Sequence, residues 1–211
     1  MKHIAIIGGT GSAGKEVVRL ALEANYKVTV VARNPNLIQI ENKLRVVKGD
    51  VTNLESLTEA LKNIDAVISC FGPAKHREVG TLMSLGTGNI VKACEINKVK
   101  RFVFMSGIVQ ADPNEFSLFT NWAIKLLRLY FHQSYNTKVI AEASIQNSTL
   151  DWVIIRASGL SHSQPTGQYK VGIKTNVSPF NRMSYADCAK CLLDAVEENK
   201  WTRQIINVGK S

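Results

Sequence analysis

Residues 4–22 read IAIIGGTGSAGKEVVRLAL. Ile4 to Ile7 form an apolar run, and Val17, Val18, Leu20 and Ala21 recur at helical spacing, so the glycines lie between a predicted strand and a predicted helix. Gly9-Thr10-Gly11-Ser12-Ala13-Gly14 satisfies GxGxxG, and Gly8, Gly11 and Gly14 also satisfy GxxGxxG. Glycines there permit a tight turn and a close backbone approach to phosphates, which the helix N-terminus then attracts. A rival reading exists, because Gly9 to Lys15 also spells GxxxxGK. The triphosphate loop of that form requires Ser or Thr next to hold magnesium, whereas this chain has Glu16, whose charge would repel phosphate. The dinucleotide reading is therefore preferred, with Lys15 as a surface residue of the first turn.

Further along, β-like and helical segments alternate. Strands are expected at Lys2–Ile7, Lys27–Ala32, Leu44–Val47, Ala66–Cys70, Arg101–Met105, Trp152–Ile155 and Gln204–Val208. Helices are expected at Gly14–Ala24, Asn53–Asn63, Leu82–Asn97, Thr137–Ile145 and Tyr185–Glu197. Such alternation predicts an α/β fold with a doubly wound parallel sheet. The 211 residues are expected to form one domain, 1–211, with a small C-terminal substrate-site region.

Composition narrows the function classes. No apolar run approaches the ~18 residues of a membrane span. No leader pattern precedes His3, and Cys70, Cys94, Cys188 and Cys191 sit inside predicted elements, so a cytoplasmic, reducing location is expected. The net charge of +9 is scattered rather than clustered, which argues against nucleic acid. Cys188 and Cys191 form a CxxC inside a helical pattern and read as core. The histidines lack metal-ligand spacing, so no metal is expected. Lys75-His76-Arg77 reads as a solvated loop after the fourth strand.

The second strand ends in Ala32-Arg33-Asn34. An acid at that point would bind the ribose hydroxyls of NAD, whereas an arginine suits the 2′-phosphate of NADP. Asp112–His132 breaks the βα rhythm. Its polar residues Ser117, Asn121, Lys125, Arg128 and His132 share one narrow helical stripe, and the wide apolar face must be buried. It follows the fifth strand, so Phe116, Phe119 and Trp122 are expected either to pack on the parent domain or to form a mobile cover over the site, with a dimer surface or a membrane-surface contact as further alternatives.

GGTGSAG (8–14), VVARN (30–34), KGDVTN (48–53), VISCFGP (67–73), RFVFMSG (101–107) and STLDWVIIRASGL (148–160) together resemble the atypical short-chain dehydrogenase/reductase superfamily. Within it, the chain is similar to the NAD(P)-binding NmrA-like group and the flavin reductase, or biliverdin-IXβ reductase, type. The resemblance extends through QPTGQY at Gln164–Tyr169 and is most specific in the N-terminal half. It implies a Rossmann-type fold, with Gly8, Thr10, Gly11, Ser12, Ala13 and Gly14 at the pyrophosphate and Arg33 at the 2′-phosphate. Asp50 and Val51 would touch adenine, Phe71 and Gly72 would lie along the cofactor, and Ser106 would stand near the nicotinamide.

The catalytic half departs from the family pattern. Conventional members use Tyr-x-x-x-Lys, which puts both side chains on one helical face. Here Tyr135 precedes Lys138 by three residues, and the residue one full turn before Lys138 is Ser134. The reductase type has a histidine just after the sixth strand, where this chain has Gly159, with His162 displaced. Ser106, Lys138 and Tyr135 are the catalytic candidates. The resemblance implies NADPH-dependent reduction of a small conjugated or aromatic acceptor, of flavin or quinone type. The alternative is a non-catalytic NADP-sensing regulator acting through a protein partner. A homodimer is compatible with either.

Overall fold

The computed structural model describes residues 2–35, 43–72, 81–112, 114, 116 and 118–211, leaving the Phe119 side chain aside. Its centre is β1 (His3–Ile7), buried along its whole length. Side chains alternate across the pleat: Ile4 and Ile6 enter one apolar cluster, Ala5 and Ile7 another. Both faces are covered, so the strand is apolar throughout rather than alternating with polar residues.

The chain runs from β1 through α1 (Ser12–Glu23) to β2 (Lys27–Ala32) and β3 (Leu44–Lys48). After α2 (Leu54–Ala60) it returns to the other side of β1 as β4 (Ala66–Ser69). Then follow α3 (Leu82–Ile96), β5 (Arg101–Gly107), α4 (Leu118–Tyr130), α5 (His132–Gln146) and β6 (Trp152–Ala157). Short strands β7 (Leu160–Ser161), β8 (Tyr169–Gly172) and β9 (Met183–Ser184) precede α6 (Tyr185–Asp194) and β10 (Gln204–Lys210). The eight-stranded sheet has the order β3-β2-β1-β4-β5-β6-β10-β8, and only β8 is antiparallel to its neighbour. This is the doubly wound Rossmann topology, with its order reversing between β1 and β4. Ligands of such sheets bind at that reversal, beyond the strands' C-terminal ends.

Helices α1 and α6 cover the Ile4/Ile6 face, where Val17, Ala21, Cys188 and Cys191 are buried. Helices α2, α3 and α5 cover the other face with Leu57, Met83, Ile90, Ala141 and Ile145, against Phe102 and Phe104. Burial raises the Cys188 thiol to about 12, so the CxxC is packing rather than redox chemistry. Sheet burial also carries polar cargo. Glu142 on α5 and Arg156 on β6 form a buried ion pair, Nη2 to Oε2 at 2.6 Å. Asp187 secures the 164–169 loop, accepting the amide N–H groups of Thr166 (3.0 Å) and Gly167 (2.9 Å).

Three short strands and the start of α5 depart from the sequence expectation. β7, β8 and β9 are two to four residues long and owe their conformation to distant partners, such as β8 on the tail of β10. α5 starts at His132 rather than Thr137 because only Phe131 separates it from α4. Among the described residues, no helix is long and apolar enough to cross a membrane.

His3 sits at the sheet's lower end, with its Nε2 2.8 Å from Thr29 Oγ1. Burial, then the Lys27 charge, holds its pKa below the usual 6.5. The unfolded chain therefore takes up this proton first as pH falls. The stabilising contribution is complete above pH 6.5 and decreases as pH drops below that value. Urea unfolding between pH 7.5 and 5.5 is expected to show this loss, with a flatter profile for His3→Gln.

Candidate functional site

The loop leaving β1 is held by contacts that leave no room for side chains. Gly8 has φ +83°, and a Cβ there would lie 2.7 Å from the Phe71 nitrogen. A Cβ on Gly14 would stand 2.1 Å from the Gly8 carbonyl oxygen, so α1 rests directly on the loop. Gly11 differs: a Cβ there would meet only the Gly8 oxygen, at 3.5 Å, and otherwise open space. Gly11 is also the N-cap of α1 and brings no side chain to cap that helix. Its first amide groups and positive dipole end face this opening, which suits an anion. Thr10 is exposed, Ser12 half-buried and Ala13 buried. Glu16, where a triphosphate loop would bind magnesium, instead pairs with Arg19 at 2.9 Å.

Arg33, at the end of β2, is exposed. Asp50, beyond β3, accepts the Thr52 amide at 2.9 Å and the Thr52 hydroxyl at 2.8 Å. These bonds, the amide first, hold its pKa below the usual range, with a smaller contribution from the Arg33 charge. Val51 and Phe71 meet over α3, where a Cβ on Gly86 would lie 3.0 Å from both side chains. Asn89 fixes Val51 by donating to its carbonyl oxygen at 2.9 Å. Gly72 is exposed, and a Cβ there would meet nothing within 4 Å among the described residues. Arg33, Asp50, Val51, Phe71 and Gly72 thus lie beyond the C-terminal ends of β2, β3 and β4, on the rim that the glycine loop shares.

Beyond β5 lies a cavity of about 290 Å³ between the 107–110 turn, α4, α5 and the 157–159 segment. Ser134, Tyr135 and Lys138 of α5 line it with Gln110, Leu127 and Phe131. Lys138 Nζ reaches to 4.0 Å from the position a Cβ on Gly107 would occupy. Burial lowers the Lys138 pKa, and the Glu142 carboxylate partly opposes the shift. Ser106 is buried one residue before Gly107, and its hydroxyl has no partner among the described residues. The buried Oε1 of Gln110 is likewise unpartnered. The Tyr135 ring lies under the Arg128 guanidinium, 4.6 Å from centroid to Cζ. Arg128 also donates to the Val109 carbonyl at 2.9 Å.

Residues 8–199 match the family described as NAD(P)H-binding. The chain belongs to that family. A relative of 26% identity over 215 residues is the photosystem II assembly factor Ycf39 of Synechocystis; the match covers 96% of this chain and 60% of Ycf39. The chain therefore spans about three-fifths of that relative's length. Among solved structures, the anaerobilin reductase ChuY of Escherichia coli O157:H7 superposes with a TM-score of 0.82 at 19% identity, covering 99% of this chain and 97% of ChuY. A wide-type short-chain dehydrogenase/reductase of Veillonella parvula in complex with NADP gives 0.75 at 21% identity, covering 99% and 94%. These neighbours share the fold of the NAD(P)H-binding family member described here.

The 112–132 segment corrects one expectation. Trp122 is 61% exposed, so it covers no site. Phe116 packs with Ile108, Ala111, Ile124 and Val177. Leu127 and Phe131 reach the cavity instead. The polar stripe did not set the helix phase, because Arg128 turns inward to the Val109 and Ala111 carbonyls. The apolar surplus announced that some of these side chains would be buried, but which ones depends on that distant anchor. The Phe119 side chain and Lys75-His76-Arg77 lie outside the described residues. His162 arrives at the glycine loop rather than near Lys138, with Nε2 3.5 Å from Ser12 Oγ and its ring 4.7 Å from Tyr185.

The glycine contacts separate two substitutions. Gly14→Ala forces a methyl group into the Gly8 carbonyl, and a loss of at least about 1–3 kcal/mol is expected in urea unfolding. Gly11→Val fills only open space, so its fold stability should stay within about 1 kcal/mol of the parent. Equal losses in the two variants would contradict this packing.

Proposed function

We propose that the chain is an NADPH-dependent reductase of a small conjugated or aromatic acceptor, of flavin or quinone type. The observation that carries this reading is the half-buried Lys138 in an apolar-walled cavity adjoining Gly107 at the end of β5. The residues fit a dinucleotide. The space over Gly11 admits a pyrophosphate to the uncapped end of α1, and Arg33 offers a guanidinium for a 2′-phosphate. Val51 and Phe71 supply apolar surface for adenine and the adjoining cofactor, while Gly72 leaves the path open. NADPH, when bound, supplies the hydride.

The chain's own residues then bind and orient. The unpaired Ser106 hydroxyl is ready to hydrogen-bond a ligand at the nicotinamide end. Lys138 presents an ammonium to developing negative charge on the acceptor or to the cofactor ribose. Leu127 and Phe131 exclude water and flank a flat ring. Tyr135 is engaged by Arg128, so its role in this reading is to shape the wall. An acceptor that takes its proton from water needs no tyrosine acid, which favours flavins and quinones over ketones. The anaerobilin reductase among the structural neighbours is in keeping with a conjugated acceptor.

A second reading, an NADP-sensing regulator with a protein partner, draws on α4. Leu118, Trp122, Leu126 and Leu129 form an exposed apolar stripe, with Leu118 90% and Leu129 74% exposed. The assembly role of the relative Ycf39 is in keeping with it. Purified protein, NADPH and a panel of quinones and FMN separate the readings. Turnover supports the reductase, whereas NADPH binding without turnover on any acceptor supports the regulator.

Titration should show tighter binding of NADPH than of NADH. Arg33→Ala should weaken NADPH by about tenfold or more, a charge-assisted bond of ~1.5–3 kcal/mol, and leave NADH nearly unchanged. Equal affinities in the parent protein would refute the cofactor preference.

Lys138 gives the reductase a pH signature. Its ammonium form is lost as pH rises through a pKa lowered from 10.5, so turnover should decline on an alkaline limb below that value. Lys138→Arg should move this limb upward, because guanidinium stays charged. A limb unchanged by that replacement would assign it elsewhere.

A further inference from the structure

A second recess, of about 290 Å³, lies where β6, β10 and the end of α5 meet. It shares no lining residue with the Lys138 cavity. Arg156, Lys174 and Arg203 line it together with Gln146, Trp152 and Asn207. Among the described residues, no carboxylate forms part of its wall. Arg156 and Asn207 stand side by side across the β6–β10 pairing. Trp152 is on the same face of β6 as Arg156, two pleats before it, since alternate residues of a strand share a face.

Trp152 and Arg156 each bring a donor to this recess that has no partner among the described residues. The Trp152 indole is 7% exposed, and its N–H has no partner among the described residues. The Arg156 side chain is 14% exposed and gives Nε and Nη2 to Glu142, which leaves its Nη1 donors without a partner among the described residues. Arg203 gives one N–H to the Thr149 carbonyl at 3.0 Å and keeps its charge on the rim. Indole and guanidinium groups donate and do not accept. A cation would be repelled here, and an apolar molecule would leave buried donors unmet at a cost.

We propose that this recess binds a small oxyanion, a phosphate or carboxylate group, at a site separate from the glycine loop. The cations attract it, and the guanidinium N–H donors suit several oxygens on one centre. The volume admits a free anion or one charged end of a metabolite.

Nitrogen–proton correlation spectra of the full chain test this directly. The Trp152 indole N–H signal, assigned with Trp152→Phe, reports on the recess alone. Inorganic phosphate is titrated in one arm and citrate in another, both at constant ionic strength in chloride. A saturable shift of that signal is expected, and the arm giving the tighter binding identifies the anion class. The double variant Lys174→Ala/Arg203→Ala, at two exposed positions, should weaken it about tenfold. Gly11→Val, altered at the other phosphate-suited region, should leave the shift in place. The proposal is overturned if neither probe shifts the signal at millimolar concentration. It is equally overturned if the shift survives undiminished in the double variant, or if phosphate perturbs only the 8–14 loop and Arg33.

Discussion

The Gly8 carbonyl oxygen lies where a Cβ on Gly14 would stand, 2.1 Å away, and the rest of the site depends on that contact. It sets α1 close against the end of β1. With Gly8 closing against Phe71, two residues beyond β4, it also joins the two central strands at the point where the sheet order reverses. Close packing at Gly8 and Gly14, beside the open space over Gly11, is a division of labour within seven residues. Gly8, Gly14 and Gly9, where a Cβ would lie 2.7 Å from Val30, serve the protein's own packing, and Gly11 keeps a surface accessible. A motif search counts them alike; only the neighbours distinguish them.

Charge is organised around a second fixed point. Arg156 on β6 grips Glu142 on α5, and Glu142 in turn opposes the desolvation of Lys138 one helical turn earlier. Neither buried charge would be tolerated alone, since an uncompensated buried ion costs several kcal/mol. The pair ties the helix that carries Lys138 to the strand beside β5. Ser106 is the register partner of Arg156, so the orphan hydroxyl and the ion pair are held by one strand pairing. Position and protonation at the end of β5 are therefore consequences of sheet register as much as of local sequence.

The central strands and their helices were legible because local pattern and tertiary environment agree there. KVTVVA is β-branched and is buried between two layers; GSAGKEVV carries both the turn and the helix start. The glycine loop and Arg33 were legible for the same reason, since their positions follow from strand ends. Legibility declined where conformation is imposed from a distance. β8 is held by the tail of β10, and the phase of α4 is set by Arg128 reaching back to the 108–111 turn. His162, displaced from the position of the reductase-type histidine, faces Ser12, because the β7–β9 pairing redirects the chain after β6. The Trp152 and Gln110 orphans carry no sequence signal at all, since an unsatisfied donor or acceptor is a property of neighbours.

The departure from Tyr-x-x-x-Lys also follows from packing. A tyrosine one turn before Lys138 would occupy the position of Ser134, which is 5% exposed at the cavity wall. Phe131 and Leu127 already fill the neighbouring wall from the α4 side. The aromatic ring has moved one residue on, to Tyr135, where it supports the Arg128 anchor of α4. In the reductase we propose, the tyrosine thus serves the helix anchor rather than proton donation. That arrangement suits an acceptor whose reduction leaves a stabilised anion, because such a product needs a nearby cation more than an immediate acid. In that proposed role Lys138 supplies the cation, Glu142 opposes the effect of its burial, and Arg156 keeps Glu142 in place while lining the neighbouring recess.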